Sequence, residues 1–172
     1  MWHGHEPMAT NEIQRLLLQN AAFTPPLRIV SAIPKKIRTL RVPTVPHSIA
    51  EELWHIVFWQ DRFLQWARRE DLAYPQHAEL GWRQMDSLSD SQWRELVAAF
   101  GRGLTEAADI AGQPHLAERY STLQEPGSDT GSLTLLDLIT NLAVHNAYHL
   151  GRIVQLRQMS GSWPPPGGGD TW

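Results

Sequence analysis

Residues 133–159 form a proline-free, largely apolar run, long enough for about seven turns of α-helix. A helix of that length with so much apolar surface needs other elements to cover it. The run also carries His145 and His149. Residues four apart stack on one helical face, about 6 Å apart along the axis. Two imidazoles placed so can grip one metal ion, and a third ligand from another helix would complete an open site.

The rest of the chain supplies further helices. Residues 9–22 place Ile13, Leu16, Leu17 and Ala21 on one face, with Thr10 or Asn11 as the cap. Pro25 and Pro26 interrupt this segment, and residues 27–33 suit a short helix. Pro34, Pro43 and Pro46 punctuate a connection holding Lys35, Lys36, Arg38 and Arg41, expected to be an exposed loop.

A second long helix should begin at His47 or Ser48 and run to Arg69 or Glu70. Ser48 and Glu51 have the spacing of a capping box there. Residues 72–88 read as loop. Ser89 or Asp90 opens a third long helix ending near Gly112, with Gly101 and Gly103 unfavourable in its interior. A polar loop, 113–131, precedes the final helix, which Gly161 stops. Strands with clear alternation are missing. The expectation is an all-α, four-helix bundle, one domain over residues 1–172. Residues 163–172 form a Pro/Gly-rich tail whose Trp163 and Trp172 suggest packing.

Net charge is −3 with the two signs interspersed, unlike the basic stripe that nucleic acid binding needs. No stretch of about 20 apolar residues exists to span a membrane, and the first residues do not resemble a secretory signal, so a cytoplasmic location is expected. The chain has no cysteine, which excludes thiolate ligands and cysteine nucleophiles. Any thiol chemistry must use a thiol brought in by a substrate.

Around the final helix, Thr134, Leu138, Asn141, His149, Arg152 and Leu156 lie within about 40° of His145. Its inner stripe of Asn141, His145, His149 and Arg152 is polar, and burying it costs free energy unless partners are supplied. His55, in the middle of the second long helix, can converge on His145 and His149 to make a three-imidazole site for Zn²⁺, Ni²⁺ or Fe²⁺. Spacing alone equally allows hydrogen-bonded or partly exposed histidines. A zincin would need glutamate where Asn146 stands. A di-iron site would need a second Glu-x-x-His pair, but position 142 is leucine. His47 suits a cap or surface role, and His3, His5, His77 and His115 suit solvated positions. Trp54, Trp66 and Trp93 suit core or interface, and Trp59 suits the wall of a pocket. Arg152 can hold an anionic substrate or make an ion pair.

The segment His47-Ser-Ile-Ala-Glu-Glu-Leu-Trp-His55-Ile-Val-Phe-Trp-Gln, followed by His145-Asn-Ala-Tyr-His149-Leu-Gly-Arg-Ile-Val-Gln-Leu-Arg, resembles the DinB/YfiT-like superfamily, as does the tail from Trp163 to Trp172. The resemblance covers the second and fourth long helices best. It implies a four-helix bundle with a divalent metal held by His55, His145 and His149, often in a homodimer. Relatives include bacillithiol transferases and mycothiol-dependent maleylpyruvate isomerase. It therefore implies a metal-dependent enzyme joining a low-molecular-weight thiol to a small electrophile; in this chain Arg152 and Asn141 are the candidates to orient the reactants. Two rivals are a hydrolase using metal-bound hydroxide with Glu51 as base, and a non-enzymatic metal-stabilised dimeric binding module. Many members carry aspartate where this chain has Asn146, so a charge behind the ligands is lost here.

Overall fold

The computed structural model describes residues 11–19, 24–70, 72–120 and 133–168. Its helices are α1 (Glu12–Leu18), α2 (Pro26–Ile29), α3 (Lys35–Arg38), α4 (Ile49–Ala67), α5 (Asp90–Ala111) and α6 (Leu135–Met159). A 3₁₀ turn spans Ala78–Gly81. The bundle consists of α1, α4, α5 and α6, with α4 packed mainly on α6 and α5, and α1 on α5. The expected all-α bundle is what forms. No helix among the described residues is long and apolar enough to cross a membrane.

Capping chemistry sets where the bundle helices start. Asn11, Ser48, Ser89 and Thr134 each close a capping box with the residue three positions on, satisfying two amide groups that a helix start leaves unpaired. The expected cap at Asn11 is thus found, whereas Thr10 and the flanks 9–10 and 20–22 of the first expected helix lie outside the described residues. So do His3, His5 and Trp172. Leu53, Ile56 and Leu64 of α4 meet Phe100 and Leu104 of α5 and Leu138, Leu142 and Ile153 of α6 in one buried core. Each such side chain contributes roughly 1.5–3 kcal/mol through removal from water.

Three connections differ from expectation. The basic segment after Pro34 contains the helical turn α3, which buries Ile37, leaves Lys35 and Lys36 exposed and packs Arg38 over the Trp93 ring. Arg38 fixes the turn further, donating to the carbonyl of Ile33 (3.1 Å) and to Asp90 (2.7 Å). Leu133 and Thr134 precede the final helix and pair antiparallel with Arg119 and Tyr120, forming the short strands β2 (Leu133–Thr134) and β1 (Arg119–Tyr120). Finally, residues 72–88 fold back onto α4. Glu51 holds them there, because its Oε1 accepts from the amide of Met85 (2.9 Å).

A glycine inside α5 has a packing reason. A Cβ on Gly103 would lie 1.8 Å from Nε2 of Gln60. Gln60 is buried, donates to the carbonyl of Phe100 (3.0 Å) and accepts from Nδ2 of Asn146 (3.0 Å). The missing side chain lets one amide brace α4, α5 and α6 together.

The tail is also held, as far as it is described. Arg157 is fully buried and donates to the carbonyls of Ile29, Ser31 and Ser162, with its guanidinium 5.3 Å from the Trp163 ring. Arg28 reaches the carbonyls of Gly167 and Gly168. The cation that ends α6 thus fastens the turn after α2 to the segment beyond the helix.

Candidate metal centre

Helices α4 and α6 bring His55, His145 and His149 together, so that one ring nitrogen from each lies within 4.8 Å of the others. Nε2 of His55 and Nε2 of His145 are 3.2 Å apart. Metal–nitrogen bonds of about 2.0–2.1 Å in a tetrahedral site put neighbouring ligand atoms about 3.3 Å apart. The spacing therefore suits two lone pairs directed at one cation.

The opposite edges of the rings fit the same role. Nδ1 of His55 donates to the carbonyl of Gly81 (2.6 Å), and Nδ1 of His149 donates to Oε2 of Glu52 (2.7 Å). These bonds fix the tautomers that leave Nε2 as acceptor. Nδ1 of His145 and Oδ1 of Asn146 are buried without hydrogen-bond partners, a donor and an acceptor on adjacent residues. Burial pushes His55 down to about 4, against the opposing pull of the Gly81 carbonyl. It pushes His145 down to about 3, helped by the neighbouring imidazoles. Both rings are therefore neutral near pH 7, the form in which imidazole binds metals.

Aromatic rings wall the group. Trp82 is stacked between His55 (centroids 3.8 Å apart) and His47 (3.6 Å). His47 thus supports the wall, and burial lowers its pKa. Trp59 lies edge-on to His55 and to His145, and Phe63 is 6.4 Å from His145. Gly81 allows the loop backbone to approach this closely, since a Cβ there would meet Nε1 of Trp59 at 3.0 Å and the His55 ring at 3.4 Å.

The other candidate residues are placed differently. Glu51 is buried; Oε2 accepts from the Ser48 amide (2.8 Å) and Oε1 takes Arg41 and the Met85 amide. Its carboxylate fastens the start of α4 and the folded-back loop. Asn141 is exposed on α6. Arg152 is partly exposed, with Nη2 2.8 Å from Oε1 of Glu52. That oxygen receives no aligned hydrogen bond, so the approach is an ionic contact. His77 and His115 are exposed, the latter 3.0 Å from Glu118. Trp66 and Trp93 are buried and Trp54 is half-buried.

Glu52, Gly81 and Trp82 were not legible as site residues. Glu52 had a sequence signal, its place three before His55, but it serves His149 instead of forming half of a di-iron pair. Asn146 faces Gln60 and takes part in the bundle's internal brace.

Fold and site together define a class: a helical bundle with a three-histidine group whose spacing fits a metal ion. A family model described as the DinB superfamily matches residues 20–153, and the chain belongs to that superfamily. Comparison with curated proteins gave no match.

Proposed function

We propose that this protein is a metal-dependent enzyme that transfers a low-molecular-weight thiol to a small electrophile. The observation that carries the reading is the convergence of three imidazoles, with ring edges held by Gly81 and Glu52 and ligand edges facing one another. His55, His145 and His149 would hold Zn²⁺, Ni²⁺ or Fe²⁺. When bound, the ion supplies Lewis acidity that lowers the pKa of a sulfur or water beside it.

The chain's own groups do the rest. The Gly81 carbonyl and the Glu52 carboxylate keep the Nδ1 protons of His55 and His149 in place. Trp59, Phe63 and Trp82 limit water around the reacting atoms. Arg152 orients an anionic reactant, a role for which exposed Asn141 has less support. The sulfur comes from the cosubstrate, since the chain has no cysteine. A carbon–sulfur bond forms, the leaving group departs with its electron pair, and the thiol proton passes to solvent.

The hydrolytic alternative needs a base poised beside water, and Glu51 is engaged by Ser48, Arg41 and Met85. A single domain, a cytoplasmic location and a homodimer belong to this reading, the dimer resting on the resemblance alone. Metal analysis of untagged protein against His55→Ala tests the site. A thiol and electrophile panel on metal-loaded protein tests the activity. Hydrolysis of esters or amides without thiol conjugation would replace the transferase by the hydrolase. Loss of melting temperature on chelation, with no metal-dependent turnover, would favour the binding module.

A further inference from the structure

We infer that Arg152 and the cavity it lines form a recognition site for a small carboxylate with a hydrocarbon body. The cavity holds about 320 Å³ and is lined by Val45, Tyr148, Arg152, Gln155, Leu156 and Met159. Its size lies within the range of small-molecule sites, where an apolar lining with few polar groups sets orientation. Here the lining is mostly apolar, one side chain is cationic and none is acidic.

Two residues join this cavity to the histidine group. Tyr148 lines it and packs edge-on against His149, with centroids 4.9 Å apart. Arg152 lines it and contacts Oε1 of Glu52, whose Oε2 accepts from His149. His149 and Arg152 are three residues apart, about 4.5 Å along the helix axis. An anion at Arg152 therefore sits on the Glu52 side of His149, behind its Nδ1 edge and one helical turn along α6.

The Arg152 guanidinium suits a second anion. Its side chain is 27% exposed and touches Glu52 through one nitrogen, without hydrogen-bond alignment at Oε1. Guanidinium presents five donors in a planar fork that matches a carboxylate in a bidentate fashion. Glu52 holds the fork at the cavity wall, and the remaining edge meets the ligand. Tyr148 and Met159 are both largely exposed, and a hydrocarbon body seated beside the fork would cover them.

This inference names the substrate class of the enzyme proposed above and rests on that reading for its catalytic meaning, but binding can be measured without turnover. Hexanoate and its neutral analogue hexanamide are titrated calorimetrically into the full chain, metal-free and Zn²⁺-loaded. Hexanoate should bind roughly tenfold or more tighter than hexanamide, as a charge-assisted pair implies. Arg152→Gln should abolish the difference. Gln155→Glu, an exposed change that leaves the Glu52 contact intact, should weaken hexanoate several-fold and spare hexanamide.

Equal binding of the two probes, or hexanoate binding indifferent to both substitutions, overturns the inference. A preference seen only with Zn²⁺ and retained in Arg152→Gln also overturns it, because the carboxylate then sits on the metal. An Arg152-dependent preference in a protein that takes up no metal upholds the subsite and removes the metal reading. If Arg152→Gln does not fold, Gln155→Glu decides.

Discussion

Glu52 on α4 accepts a hydrogen bond from Nδ1 of His149 on α6 at 2.7 Å, and its carboxylate is fully buried. Adjacent Glu51 points to the folded-back loop, so two neighbouring glutamates serve different faces of one helix. A carboxylate behind a ligating imidazole fixes its orientation and raises its basicity. Glu52→Gln keeps the shape and weakens both effects. Metal affinity, measured by competition with a chromophoric chelator, should fall about 10- to 100-fold while the helical circular dichroism is kept. Unchanged affinity would show that the carboxylate does not tune the ligand.

Gly103→Ala should destabilise the protein although alanine is the better helix former by about 1 kcal/mol. The added methyl would overlap Gln60, and overpacking of this kind costs roughly 1–3 kcal/mol. Denaturant unfolding measures the loss. In a Gln60→Ala background the same change should be neutral or stabilising, so the double-mutant cycle isolates the contact.

Acid should destabilise the metal-free protein well before its carboxylates titrate. His55 and His145 have folded pKa values of about 4 and about 3, below the ordinary value of 6.5. The unfolded chain therefore binds protons that the native state refuses. Their favourable contribution is complete above pH 6.5 and is lost as pH falls toward 4 and then 3. Each group contributes a slope of about 1.4 kcal/mol per pH unit in that window. Urea titrations from pH 7 to 4 should show it, with a shallower dependence in His145→Asn. A flat profile would mean that the rings are not held neutral.

Arg157→Ala should cost roughly 2–4 kcal/mol, because it removes several charge-assisted hydrogen bonds at a fully buried site. Limited proteolysis should then cut between residues 160 and 168 faster than in the parent. Cleavage at the parental rate would show that Arg28 and Trp163 hold the segment without it.

Local signals foresaw what local chemistry decides. Ser48 and Glu51 mark the start of α4 through a capping box, and the histidine spacing on α6 places two imidazoles on one face. The role of residues 72–88 was hidden, since their order comes from partners far along the chain: Met85 on Glu51, Gly81 on His55 and Trp82 between two histidines. The choice between Glu51 and Glu52 was equally hidden. Adjacent helical positions differ by about 100°, and only the placement of α4 among its neighbours says which side faces α6. Gly103 looked like a weakness in α5 for the same reason, as its partner Gln60 lies on another helix.

The three imidazoles belong to only two helices, and the Nε2 atoms of His55 and His145 come from positions 90 residues apart. In a chain with no cysteine, an ion held there would act as a cross-link, a reversible counterpart of a disulfide. It would tie α4 to α6 across everything between them, and unfolding would have to break that tie. Free metal concentration would then set the lifetime of the fold as well as the readiness of the site.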